Sequence, residues 1–145
     1  MKRLIASLLA YATFLTASAD AGGLMGCSYD QCVAAFGNPV GHTSGELHKG
    51  SGSYDIYFFQ QQAWSYAVLF VREQAIVIRY SKIDETPLTS DETNPIFAAY
   101  SDGQEWQSSP RAGYFSRRDY GAMIKKSMTK IVIIGRGGIP FIDLL

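Results

Sequence analysis

Trp64-Ser-Tyr-Ala-Val-Leu-Phe-Val71 and Gln74-Ala-Ile-Val-Ile-Arg-Tyr-Ser81, separated only by Arg72-Glu73, decide the fold of this chain. Both runs are dense in β-branched and aromatic residues, which suit a pleated, half-buried surface. A connection this short predicts an antiparallel hairpin. Tyr54–Phe59 precedes them across a link of only four residues, so a three-stranded meander is expected over residues 54–81. Alternation then assigns faces. Arg79 must reach solvent, which sends Ile76, Ile78 and Tyr80 inward. Asp55 places Tyr57 and Phe59 on the outer side of the first strand. Trp64, Tyr66, Val68 and Phe70 follow them outward if Ser65, Ala67, Leu69 and Val71 point inward. The expected outer face is an aromatic patch, Tyr57, Phe59, Trp64, Tyr66 and Phe70, bordered by Arg79. A patch of that size on a soluble sheet is expected either to hold another protein or to pack against the second unit or the C-terminal tail.

Upstream, Ser28 or Asp30 can cap a helix that runs to Phe36, and Gly37-Asn-Pro39 stops it. The Gly- and Ser-rich residues 41–53 read as a flexible loop. Downstream, a second helix is expected over about Ser90–Tyr100, with Asn94 as an alternative start that would put Pro95 at the first helical position. Short strands follow at Glu105–Gln107, Gly113–Ser116, Tyr120–Lys125 and Lys130–Ile134. Gly135-Arg-Gly-Gly138 breaks the last one, and Ile139–Leu145 is an apolar tail.

The second half echoes the first. Ser28–Phe36 is answered by Glu92–Tyr100, Ala67–Phe70 by Ala122–Lys125, and Ile76-Val-Ile78 by Ile131-Val-Ile133, the last two at the same interval of 55 residues. Self-similarity of this kind predicts repeated supersecondary units. The expected fold is α+β: a helix packed on an antiparallel three- to four-stranded meander, duplicated in tandem. Residues 20–86 form the first unit, and residues 87–145 form a second, divergent unit packed on it.

Tyr29–Phe36, Gly37-Asn-Pro39, Tyr66–Val71 and Ala75–Tyr80 together resemble the SmpA/OmlA (BamE-like) envelope domains and the tandem β-lactamase-inhibitor-protein fold. The first unit carries the resemblance over about residues 28–81, and residues 90–134 carry it more loosely. The resemblance implies a non-catalytic envelope or secreted protein that binds other proteins through a sheet face or loops.

Residues 1–19 read as an export signal. Lys2 and Arg3 precede an apolar run from Leu4 to Leu15, and Ala17-Ser-Ala19 fits the cleavage rule before Asp20. The apolar run is shorter than the roughly 20 residues of a membrane-spanning helix. The expected location is periplasmic or secreted. A competing reading takes Leu24-Met-Gly-Cys27 as a lipobox, which would make the chain a scaffold anchored in the outer membrane through Cys27. Export to an oxidising compartment allows Cys27 and Cys32 to pair. The short loop between them leaves disulfide and free thiols equally open.

The search for chemistry returns little. His42 and His48 lack the third ligand and rigid frame that a metal site requires. A small hydrolase using either histidine is a minor alternative, since no partner residues accompany them. Asp84-Glu85 and Asp91-Glu92 fit a connector and a helix start, where acids favour the dipole. Ser51-Gly-Ser53 lacks a nucleophile-elbow context, and Gly135–Gly138 lacks the features of a phosphate loop. No enzyme activity, cofactor, metal or nucleic-acid partner is therefore expected. The formal net charge is zero, but it is unevenly spread. Arg111, Arg117, Arg118, Lys125, Lys126, Lys130 and Arg136 are opposed after residue 110 only by Asp119 and Asp143. A weak anionic contact through Arg117, Arg118, Lys125 and Lys126 is the functional reading of that bias; a solvated strand face is the plain one.

Overall fold

The computed structural model describes residues 23–47 and 52–145. The expected signal, the cut between Ala19 and Asp20, and His48 lie outside the described residues. In chain order the elements are α1 (Tyr29–Phe36), β1 (Gly41–Glu46), β2 (Ser53–Gln61), β3 (Trp64–Val71), β4 (Gln74–Lys82) and α2 (Ser90–Ala99). Then come β5 (Trp106–Ser108), β6 (Tyr114–Arg117), β7 (Ala122–Lys126), β8 (Lys130–Gly135) and a 3-10 turn at Ile139–Phe141.

All eight strands belong to one antiparallel sheet in the order β1-β2-β3-β4-β8-β7-β6-β5. This corrects the expectation of a helix on a three- to four-stranded meander repeated in tandem. The reason lies in β4, which hydrogen-bonds β3 along one edge and β8 along the other. Ile78 pairs with Ile133 and Tyr80 with Ile131. The two segments that echo each other in sequence thus meet side by side at the centre of the sheet. Neither four-stranded run keeps an edge of its own there.

A second correction concerns Gly41–Glu46, read from sequence as loop and found as edge strand β1, with Gly41 opposite Phe58 and Gly45 opposite Tyr54. Its small residues are a packing requirement. A Cβ at Gly45 would overlap the Tyr54 ring. Glycine in a strand often marks such a close approach.

Both helices start with reciprocal caps. The Ser28 hydroxyl accepts from Gln31 N–H at 3.3 Å while the Gln31 side chain accepts from Ser28 N–H at 2.9 Å. At α1's end Gly37 takes φ +87° and donates to the Val33 carbonyl at 2.8 Å. Thr89 and Glu92 form the same box at α2. Helix α2 therefore begins at Ser90, and Pro95 lies inside it rather than at a start after Asn94. Glu92 also reaches Lys82 on β4 at 2.9 Å, tying the helix to the sheet.

The sheet is buried on both faces. Helices α1 and α2 cover one, with Phe36, Phe59, Tyr66, Phe70, Ile78, Tyr80, Ile124, Ile131 and Ile133 in the core. On the other face Ile56, Ala67, Leu69, Val77, Val132 and Ile134 pack against Phe141, Ile142 and Leu145 of the C-terminal segment. Phe36 is the keystone of the first layer, stacked on Tyr66 at 4.1 Å and tilted against Phe59 at 5.5 Å. Replacing Phe36 by Ala should cost about 3–5 kcal/mol, read as a lower urea midpoint at unchanged slope. A loss below about 1 kcal/mol would contradict its place in a close-packed core.

Candidate functional site

Strand alternation was anchored on the wrong residue, and the expected aromatic site is therefore buried. Phe59 is 0% exposed, and Tyr66 and Phe70 are each 4% exposed. Tyr57 and Trp64 pack against the same core. Tyr29 of α1 meets the Tyr57 ring at 4.6 Å and the Phe70 ring at 6.4 Å. These five side chains face the helices, not solvent. Asp55 shares their face but sits beside edge strand β1, where it hydrogen-bonds His42 at 2.9 Å. Its exposure is real; it marks the margin of the helix cover and says nothing of the open face. Arg79 does lie on the face away from the helices, as alternation expects.

The same buried layer holds a polar chain. Tyr80 and Tyr100 hydroxyls lie 2.5 Å apart, and Leu24 N–H donates to the Tyr100 hydroxyl at 3.3 Å. Cys27 and Cys32 are both buried free thiols. Burial, helped by Cys27 nearby, pushes the Cys32 thiol up to about 12. Burial also raises Cys27, Tyr80 and Tyr100 above their ordinary values. These shifts disfavour the ionised forms at neutral pH, the thiolate being the reactive form of cysteine.

His42 stacks on the Tyr57 ring at 4.3 Å besides bonding Asp55. No group of three His, Cys, Asp or Glu side chains that could hold a metal occurs among the described residues. The basic residues do not form one patch. Arg117 is 12% exposed in its side chain and grips Asp119 with Nε at 2.7 Å and Nη2 at 2.8 Å, while Nη1 donates to the Tyr100 carbonyl at 3.2 Å. It thereby places a cation at the C-terminal end of α2, where the dipole favours one. The Arg117 guanidinium, with the Gly121 N–H, holds the Asp119 carboxyl below its usual range. Lys125 projects to the opposite face, 3.6 Å from Asp143 and 5.9 Å from the Tyr114 ring. Arg111 caps that ring from 4.4 Å.

What the helix-free face offers is a concavity of about 430 Å³ beyond the end of the C-terminal cover. Gln60, Ser65, Arg79, Ser81, Lys82 and Lys130 line it from β2, β3, β4 and β8, and Ile83, Glu85 and Thr129 complete the lining. Register explains the set, because Gln60 pairs with Ser65, Ser65 with Ser81, and Ser81 with Lys130 in one row across the sheet. Arg79 Nη1 donates to the Leu145 backbone oxygen at 3.1 Å. Its Nε is shielded from water and has no hydrogen-bond partner. Desolvation lowers the pKa of this guanidinium. Among the described residues no Asp or Glu side chain pairs with Arg79 or Lys130. An unmade buried donor costs about 1–3 kcal/mol, and more when charged. Sequence reasoning singled out Arg79 but missed the row of Gln60, Ser65, Ser81 and Lys130. The signal was present as polar residues at one end of otherwise apolar strands.

With this geometry in view, comparison with known proteins adds little. No family model matches the chain, and no curated protein matches it. Among solved structures it is similar to a cysteine-rich secretory protein from Staphylococcus aureus subsp. aureus Mu50 at 11% identity, with a TM-score of 0.44 over 83% of this chain and 47% of that one. The chain thus spans less than half of that protein's length. The resemblance to SmpA/OmlA (BamE-like) domains and to the β-lactamase-inhibitor-protein fold is corrected by this finding. The weak likeness is to a different kind of protein, and it carries no argument about function.

The buried acids set an alkaline limit. Cys32, Tyr80 and Tyr100 bind protons more tightly folded than unfolded. Their contribution is fully present below their unfolded pKa values, roughly 8.5–10. It is lost as pH rises through that range toward the folded values. The urea midpoint should hold steady from pH 7 to 8 and fall from about pH 9 upward. A flat profile to pH 11 would contradict the assignment. Thiol-reactive reagent at pH 8 should label Cys32 only on unfolding.

Proposed function

We propose that the chain is an exported, non-catalytic binding protein that holds an acidic protein partner on the helix-free face of its sheet. The observation that carries this reading is Arg79, a half-buried guanidinium that lines a concavity, with Nη1 on the Leu145 main-chain oxygen and Nε without a hydrogen-bond partner. Lys130 adds a second cation to the same recess. Exposed Ile83, in the same lining, supplies an apolar contact. Arginine at the margin of a recess with apolar neighbours is a common energetic centre of protein interfaces. Charge complementarity fixes the partner's sign and speeds encounter more than it adds raw affinity.

The packing of the first described residues bears on how the chain is held in its compartment. Leu24 is buried and Met25 packs against the core. Gly26 N–H donates to Ala75 O at 2.7 Å, and Ala75 N–H returns to Cys27 O at 2.9 Å. Cleavage before a lipidated Cys27 would remove Leu24, Met25 and Gly26 and pull a buried thiol to the surface. Cleavage behind Ala19 leaves all of these contacts intact. Simple secretion is therefore the reading that these contacts support.

Two measurements test the proposal. Intact-mass analysis of exported protein should give a chain starting at Asp20 with no lipid on Cys27; a diacylated Cys27 terminus would overturn the secretion reading. For binding, an interactor captured by wild type should be purified and titrated against Arg79→Glu and Arg118→Glu proteins. The charge reversal at Arg79 should abolish binding, while that at Arg118 should leave it within about twofold, as expected for a charge outside the contact. Equal affinity of wild type and Arg79→Glu would refute this face as the site.

A further inference from the structure

We infer that the outer edge of β1 is a self-association site, where a second copy of this chain adds its own β1 antiparallel and joins the two sheets into one. This interface lies at the sheet margin and is independent of the Arg79 recess. Of the two margins, β5 has three residues and β1 has six. The β1 ladder runs in unbroken register from Gly41 opposite Phe58 to Glu46 opposite Ser53. Leu47 N–H extends it to the Gly52 carbonyl at 2.8 Å. At its start Val40 N–H takes the Phe58 carbonyl at 2.7 Å, one residue out of step. Backbone groups of successive strand residues point to alternate sides. Counting back from Leu47, Gly45, Thr43 and Gly41 turn theirs to β2, while His42, Ser44 and Glu46 turn theirs outward. Among the described residues no backbone group bonds that outer row. Soluble sheets guard such edges with Lys, Pro or a bulge. Gly41-His-Thr-Ser-Gly-Glu46 contains neither Lys nor Pro, and no bulge interrupts its pairing.

The residues of β1 select a second copy as the occupant. A two-fold axis through Ser44 sets Ser44 opposite itself, His42 opposite Glu46 and Glu46 opposite His42. All three outward residues then form bonded pairs, with on the order of six backbone hydrogen bonds. An axis at Thr43 would set Glu46 opposite Val40, whose N–H already bonds Phe58, and would part His42 from Glu46. The Ser44 register also pairs charge. His42 Nε2 bonds Asp55 at 2.9 Å and the ring stacks on Tyr57 at 4.3 Å, which holds it in place. Its other nitrogen has no hydrogen-bond partner among the described residues. The protonated ring donates to Asp55 and to Glu46 of the second copy at once, and opposite charges directly across a strand pair attract. The other face fits as well. Gly45 has no side chain and the Tyr54 ring lies over it; Thr43 of the second copy stands opposite Gly45, beside that ring. A contact of this size makes a weak, reversible dimer.

Sedimentation equilibrium of the exported chain, residues 20–145, tests this at about pH 6. Over loading concentrations from about 10 μM to about 1 mM, the weight-average mass should rise from one chain toward two. Ser44→Pro removes an outward N–H, spares the ladder to β2 and should abolish the rise. Glu46→Lys sets a cation opposite His42 and should weaken association about tenfold; it decides the matter if Ser44→Pro fails to fold. Mild oxidation reads the register. Ser44→Cys sets two thiols across the axis at the roughly 5.5 Å Cα separation of a bonded pair, within disulfide range, and should give a covalent dimer. Thr43→Cys, diagonal to its own copy at roughly 7–8 Å, should not, nor should wild type, whose two cysteines are buried. A wild type that stays monomeric, association unchanged in Glu46→Lys, or a covalent dimer from Thr43→Cys but not from Ser44→Cys overturns the inference. Arg79→Glu should leave self-association unchanged, so the binding role proposed for the recess is judged separately.

Discussion

Strand β4 imposes the constraint on which the rest of this structure depends. It is hydrogen-bonded along both edges, and it is apolar on both faces, with Val77 and Ile78 each 0% exposed. A strand buried in this way needs cover above and below. Helices α1 and α2 supply one cover through Phe36, Tyr29, Ile96 and Phe97. The C-terminal segment supplies the other through Phe141, Ile142 and Leu145. That second cover is a short irregular segment, and it cannot span a sheet eight strands wide. Where it stops, the row from Gln60 to Lys130 turns polar. The candidate site is thus a consequence of incomplete cover over a sheet that demands cover on both sides.

The same double burial explains what the sequence could and could not show. The meander of β2, β3 and β4 was legible because its connections are two residues long and its runs are apolar. The boundaries of α1 were legible because Ser28, Gly37 and Pro39 each have a local conformational reason to be there. The faces of β2 and β3 were not. Trp64–Val71 is apolar at both parities except for Ser65, so no alternation signal exists to orient it. Orientation was borrowed from Asp55, whose exposure comes from its place next to an edge strand. Between Leu69 and Phe70 the pairing register also shifts, which breaks the parity that would carry information from β4 back into β3. Ile76 accordingly packs with the helix-free layer, against its expected place beneath the helices.

Long-range pairing was the other illegible quantity. The interval of 55 residues between Ile76–Ile78 and Ile131–Ile133 says that two segments are alike; it does not say that they bond to each other. Likeness suggested two separate sheets, and the hydrogen bonds made one. Edge strands are a hazard that sheets avoid by pairing or cover. Joining β4 to β8 removes two long apolar edges and leaves only β1, made largely of small and polar residues, and the three-residue β5 at the margins. Gly41–Glu46 looks like loop in sequence for the same reason that it is suited to an edge.

Polar side chains in this molecule fall into two groups by whether their partners are present. Arg117 has Asp119 and Tyr100; Lys82 has Glu92; His42 has Asp55; Tyr80 has Tyr100. Each contact closes a cap, an edge or a buried chain, and each is explained by folding alone. Arg79 is different. Methionine or leucine at that position would fill the same space beside Leu145 without a desolvated charge, and replacing buried ionic groups by well-packed apolar ones is often neutral or stabilising. What an apolar side chain could not supply is the bond from Nη1 to the Leu145 main-chain oxygen at 3.1 Å, which ties the C-terminal cover to the centre of the sheet.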